Sequence, residues 1–393
     1  MRALKIRILW AFALYALAGC SGDRTVEGPS TETSGLAARV VDSLGRAVAG
    51  VDVRVLTLGG DAWRERLERD QSQVLATGST DDSGVVRFAL PDTKPVALEV
   101  AYGTFAGRIE ATPGSDSLRE LRTSRSLRLG VVVRVPGEVV SDLHLVGTDR
   151  RALRLSDSSW QFPSLPSGTY SVVARTDSGY AVLGRVPLSG RDLDTSLSSD
   201  VDSVLLEDFA VPSLRHRYGD FLGDGWWYTT TDAIEGGASR VTPSRVADAL
   251  VPCAIGRCLS MDFTLDPTRS VRWAIVGLDI DGGFASTPER LADLSRVTSV
   301  RFDAAGTGSF WVQLGVRTSR GTFSSCRASF AATPVLSIVD VGLDGFACDS
   351  TGIDLRTTYS VTWGAQGDYR LELGKVRLIG AGPRAVFPRL ARP

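Results

Sequence analysis

Short runs in which every second residue is apolar begin at Leu36 and recur along most of the chain. Val51, Val53 and Val55 alternate with Asp52 and Arg54, and Val86, Phe88 and Leu90 repeat the pattern after the turn Asp81-Asp82-Ser83-Gly84. A period of two places the apolar set on one face of a strand, so residues 36–125 predict a small sandwich of half-buried strands. The segment DAWRERLERD, 61–70, breaks that period. There Trp63 and Leu67 stand four apart and Glu65 can pair with Arg69, which predicts a helical turn within a loop.

A second unit, 126–198, follows from LRLGVVVRV, LHLVGT, SWQFPSLPSGTYSVVAR and YAVLGRVPL. Pro166, Ser167 and Gly168 supply a turn, Tyr170, Val172 and Ala174 share one strand face, and Trp160 with Phe162 is expected in the core. The polar stretch RDLDTSLSSDVDS, 191–203, reads as a linker. From 204 to 380 the strands lengthen, and five of the eight tryptophans gather there: Trp226, Trp227, Trp273, Trp311 and Trp363. The fold class expected is all-β, two small sandwiches followed by a larger one.

Charge excludes one class of partner. Arginines and acids nearly balance, to a formal charge of -1, so no basic field exists to gather nucleic acid. At the amino terminus Arg2, Lys5 and Arg7 precede an apolar run from Ile8 to Leu17, the layout of a secretory signal over residues 1–19. The run ends in Leu17-Ala18-Gly19-Cys20, which resembles the lipobox of bacterial lipoproteins. That resemblance implies cleavage before Cys20 and acylation of its thiol. Removal of residues 1–19 takes away three positive charges and brings the formal charge from -1 to -4. Residues 20–35 are polar and read as a tether. Ser21 in place of an aspartate points to the outer membrane, on its surface or periplasmic side. Outside the cytoplasm, the four remaining cysteines favour disulfides over zinc. Of three pairings, Cys253 with Cys258 and Cys326 with Cys348 is preferred, each contributing about 2–3 kcal/mol.

Three resemblances extend these readings. The order ARVVDSLGRAVAGVDVRVL, GSTDDSGVVRFALP, VALEVAY is similar to the carboxypeptidase regulatory-like domain, an immunoglobulin-like or prealbumin-like sandwich, and LPSGTYSVVA looks like the closing hairpin of the same superfamily. The third unit opens with VLLEDFA, continues through GDGWWYTTTDAIEGGAS and DLSRVTSVRFDAAGTGSFWVQLGVRT, and closes with YSVTWGAQGDYRLELGKVRLI. That succession resembles the galactose-binding-like jelly rolls related to family 11 carbohydrate-binding modules and the complex I intermediate-associated proteins. By this resemblance Glu207 and Asp208 match an opening acidic pair, Phe209 a buried aromatic, Trp226, Trp227 and Tyr228 an aromatic strand, and Gly236, Gly237 and Ser239 its turn. A structural calcium would involve Asp208; Gly374 and Lys375, where relatives carry acids, weigh against it.

Alternation along Trp226-Trp227-Tyr228 sends either the middle ring or the outer two inward. With Trp226 and Tyr228 in the core, Trp227 faces out and can stack on the C–H face of a sugar. Trp311 and Gln313 share the parity opposite Phe310, Val312 and Leu314, which predicts a second ring on the same outer surface. Asp224, Asp232, Gln313 and Arg272 are the types that would bond sugar hydroxyls. His144 and His216 belong to no catalytic pattern and are expected at the surface; Asp279-Ile280-Asp281-Gly282 reads as a turn. The expectation is therefore a non-catalytic envelope lipoprotein, without cofactor, that binds carbohydrate through its last unit, with the sandwiches before it as spacers. The alternatives are a structural or adhesive lipoprotein that binds an envelope protein and, least favoured, a divergent hydrolase.

Overall fold

A computed structural model describes residues 34–90, 94–114, 118–282, 287, 290–318, 322–351 and 353–391. The segment expected to be a signal peptide, Cys20 and the expected tether up to residue 33 lie outside the described residues. The protein is all-β: two small sandwiches are followed by a larger jelly-roll sandwich. In the first, a three-stranded sheet (Val85–Leu90, Ser34–Val41, Arg119–Arg122) faces a five-stranded one, and Leu36, Val40, Val53, Val55, Phe88 and Leu98 fill the space between them. The strand therefore begins at Ser34, where Ser34 and Gly35 pair with Leu90 and Ala89, two residues inside the expected tether. The second sandwich buries Leu129, Trp160, Phe162, Tyr170, Val172 and Ala174. Half of the expected linker is also structured. Leu193–Ser198 is a strand lying parallel to Leu127–Arg134, with Leu193 and Leu197 turned toward the core while Asp194, Ser196 and Ser198 face away.

The third sandwich packs a seven-stranded sheet against a six-stranded one. The six-stranded sheet runs in the order Trp227–Thr231, Ala274–Asp279, Ile353–Ala365, Gly308–Thr318, Phe323–Ala332, Ala347–Cys348. Its inner face contributes Trp227, Val276, Leu278, Phe310, Val312, Leu314, Val361 and Trp363 to one continuous core. Disulfides join Cys253 to Cys258 and Cys326 to Cys348, the latter across a register pair of neighbouring strands. After the last strand, residues 381–391 turn back and seal the core with Val386, Phe387 and Leu390, all fully buried.

The three sandwiches touch one another. The helix in the first, Gly60–Glu68, sends Trp63 into the core of the third, edge-on to Phe221 and to His144 of the second. Arg389 from the chain end binds Asp61 of that helix at 2.9 Å, Asp224 at 3.3 Å and the fully buried Asp281. Arg150 of the second sandwich donates to the buried Glu99 of the first at 2.7 Å, and Arg185 donates to Asp220 of the third at 3.0 Å. Buried ion pairs hold only where both partners are present, so these junctions fix how the units meet.

Candidate functional site

Trp227 points the other way from expectation. Its strand pairs Trp227 with Leu278, itself a core residue, so the parity of the neighbouring strand draws the indole inward. It is 5% exposed, stacks on Trp363 with centroids 5.8 Å apart, and packs against Phe209. Its Nε1–H donates to Glu207 at 3.3 Å. The Glu207 carboxylate also accepts the backbone N–H groups of Asp208 and Phe209, bracing a turn in which Phe209 has φ of 51°. Burial pushes the Glu207 carboxyl up to about 7. Trp226 is the open ring, 42% exposed.

Two of the expected polar contacts are structural. Asp232 is fully buried and accepts from the backbone N–H and the hydroxyl of Ser239, at 3.0 and 2.8 Å, so it closes the Gly-Gly-Ala-Ser turn rather than meeting a ligand. Only a glycine fits at 237, where a Cβ would lie 2.3 Å from that carboxylate. Asp224 is committed to Arg290 at 2.6 Å and to Arg389. Arg272 is exposed and reaches only the carbonyl of Asp266, at 3.5 Å. His216 is fully buried, contrary to its expected surface position. Its Nε2–H donates to the Ile280 carbonyl at 2.7 Å, its Nδ1 accepts from the Tyr218 N–H at 3.1 Å, and burial pushes its pKa down to about 3. His144 is half-buried beside Trp63. Asp208 pairs with Arg217 at 3.7 Å, and among the described residues no group of three or more His, Cys, Asp or Glu is placed to hold a metal.

The outer face of the six-stranded sheet assembles what remains. One register row crosses it as Tyr228, Gly277, Thr362, Gln313 and Arg327; the next runs Asp279, Ser360, Gly315 and Ser325; a third runs Ile275, Gly364, Trp311 and Ser329. Strands spaced at about 4.8 Å make the first row roughly 19 Å long. A glycine lies beneath an aromatic ring in each row. A Cβ at Gly277 would fall 2.4 Å from the Tyr228 ring, at Gly315 2.5 Å from the Tyr359 ring, and at Gly364 2.2 Å from the Trp311 ring. The missing side chains let the rings lie down on the backbone.

Polar groups sit among the rings. Tyr228 hydrogen-bonds Ser360, and Asp279 acts electrostatically on both Tyr228 and Tyr359. Burial, reinforced by Asp224, pushes the Asp279 carboxyl up to about 6, and burial with Asp279 nearby raises the Tyr228 phenol. Thr362 is buried with a hydroxyl that has no hydrogen-bond partner among the described residues. Trp311 lies on the expected face yet is only 5% exposed, because the Arg327 guanidinium covers its ring at 4.1 Å. Gln313 holds that cover in place, accepting from Arg327 at 3.0 and 2.7 Å. Tyr228, expected in the core with Trp226, faces outward instead because Trp227 takes the inward parity, and Asp279, read as part of a turn, ends a strand of this sheet; Tyr359 and Arg327 were not singled out from sequence. The signal for them was present as Gly277, Gly315 and Gly364, three glycines at outward parity on adjacent strands.

No protein-family model matches the chain, and no curated protein matches its sequence. Solved structures that resemble it include the family 11 carbohydrate-binding module of a cellulosomal cellulase of Clostridium thermocellum, at 15% identity and a TM-score of 0.33, covering 47% of this chain and 97% of the module. A family 30 carbohydrate-binding module from a cellulosomal cellulase of the same organism matches at 12% identity and a TM-score of 0.27, over 46% of this chain and 95% of the module. A shaft pilin from Lactobacillus rhamnosus GG matches at 10% identity and a TM-score of 0.19, over 42% and 97%.

Proposed function

We propose that this chain is an envelope lipoprotein, anchored to the outer membrane through Cys20, that binds neutral polysaccharide on the outer face of its third sandwich and does not cleave it. The observation that carries the reading is the pair of rings Tyr228 and Tyr359, laid over Gly277 and Gly315 on one sheet face, with Trp311 beside them under the Arg327 guanidinium. A pyranose ring presents C–H groups to such a surface and hydroxyls at its rim. Asp279 and Gln313 stand within the same rows as an acceptor and a donor for those hydroxyls. Acyl chains on Cys20 would collect many copies on one membrane, where weak single contacts add up along one polymer.

Affinity electrophoresis of the full chain through gels containing hydroxyethylcellulose, mixed-linked β-glucan or xyloglucan tests the binding. Retardation by at least one of them, reduced about tenfold or more by Tyr228→Ala and by Tyr359→Ala, supports the reading. Unretarded migration in every gel, or retardation indifferent to both substitutions, overturns it. The anchor is tested separately: Cys20→Ala should release the protein from the membrane fraction and abolish incorporation of labelled palmitate.

A further inference from the structure

A cleft of about 570 Å³ opens where the three sandwiches meet, at the edge of the six-stranded sheet, and shares no lining residue with the tyrosine rows. Arg108 and Glu110 line it from the first sandwich, Thr169 and Ser171 from the second, and Arg215 and Trp226 from the third. Trp226 is the most exposed indole among the described residues, and the Arg215 guanidinium stacks on it at 4.1 Å. Arg108 donates to the Gly147 carbonyl at 3.2 Å and lies 3.9 Å from Glu110, while Arg215 lies 3.9 Å from Asp220. Asp220 is already engaged by Arg185 at 3.0 Å and by the Ser171 hydroxyl at 2.5 Å. The Nε of Arg108 and the Nε of Arg215 are both buried and have no hydrogen-bond partner among the described residues. The lining carries two guanidiniums, Arg108 and Arg215, and two carboxylates, Glu110 and Asp220, of which Asp220 is taken up by Arg185 from behind.

We propose that this cleft is a second binding site, independent of the outer face, and that it takes an acidic saccharide. The sugar ring packs against Trp226, its carboxylate answers the two guanidiniums, and the hydroxyl of Thr169 bonds its rim. Guanidinium–carboxylate bonds are charge-assisted and directional, which selects a uronic acid over its neutral counterpart. Because each sandwich contributes a wall, occupancy also ties the three together.

Isothermal titration of the full chain with trigalacturonate, and with its methyl-esterified form, tests the proposal. The acid should bind at least tenfold more tightly than the ester and lose affinity as salt is raised. Trp226→Ala should abolish the heat, Arg108→Gln should weaken binding about tenfold, and Glu110→Gln, which removes the exposed carboxylate at the rim, should strengthen it. Tyr359→Ala should leave it unchanged, which separates this site from the outer face. Equal affinity for acid and ester, no binding of the acid at millimolar concentration, or loss of binding in Tyr359→Ala with retention in Trp226→Ala would each overturn the proposal.

Discussion

Trp227 and Trp363 on one face of the six-stranded sheet, and Tyr228 and Trp311 on the other, are close neighbours put to different uses: Trp227 and Tyr228 are consecutive, and Trp363 and Trp311 sit on adjacent strands one residue out of register. Inside, the indoles stack on each other and interdigitate with Phe209 and Phe302, as expected of a close-packed core. Outside, the rings meet glycine backbone rather than side chains and lie along the sheet, with Asp279, Thr362, Gln313 and Arg327 between them. The contrast teaches that an aromatic residue in a strand is assigned its role by the position opposite it. A branched apolar neighbour makes it core, and a glycine makes it pavement.

If that division is right, substitutions on the inner face should cost stability, and those on the outer face should cost binding. The largest effect is expected of Trp227→Ala, which empties a core site and orphans Glu207. It should lower the unfolding free energy by about 3–5 kcal/mol in urea titrations. Next comes Gly364→Ala, whose methyl must displace Trp311 and with it the Arg327 cover. A cost of about 1–3 kcal/mol is expected, together with lost retention on neutral polysaccharide, and retention at native strength would show that the glycine pavement is not the site.

A smaller effect depends on pH. The Asp279 carboxyl is raised in the folded chain to about 6, from an ordinary 3.8, so the folded state holds its proton more tightly than the unfolded state. Its contribution to stability is present at low pH and lost as pH rises between those values. Asp279→Asn should therefore match the native protein near pH 3.5 and exceed it above pH 6, by on the order of 1 kcal/mol. In the buried loop before Tyr218, His216 carries the opposite sign. Its pKa falls to about 3, so its contribution is full above 6.5 and is lost as pH drops toward 3. Trp226→Ala should change stability least, by less than about 0.5 kcal/mol, since its ring is open and supports no core.

The elements were legible because their signals are local. Alternation at Val53 and Val55, the i,i+4 pair Glu65–Arg69 at 2.6 Å and the core positions of Trp160 and Phe162 each follow from residues close in sequence. The direction of Trp227 was not, because two adjacent aromatics carry no asymmetry of their own. What decides it is Leu278, fifty-one residues on, through strand pairing. Asp232 looked like a free carboxylate for the same reason: the groups that consume it belong to the turn it organises. The junction of Asp61, Asp224, Asp281 and Arg389 joins the first sandwich to the chain end, and no local pattern marks such a partnership. For the candidate site, the parity of Trp311 and Gln313 was readable, whereas the cover supplied by Arg327 arises only when its strand is laid beside theirs.

The most direct test of the central claim is hydroxyl-radical footprinting of the full chain with and without a neutral β-glucan, read by mass spectrometry at single residues. The account predicts that polysaccharide protects Tyr228 and Tyr359 while Trp226, in its separate cleft, is oxidised equally in both samples. Unchanged oxidation of both tyrosines under conditions where the polysaccharide is bound would contradict it.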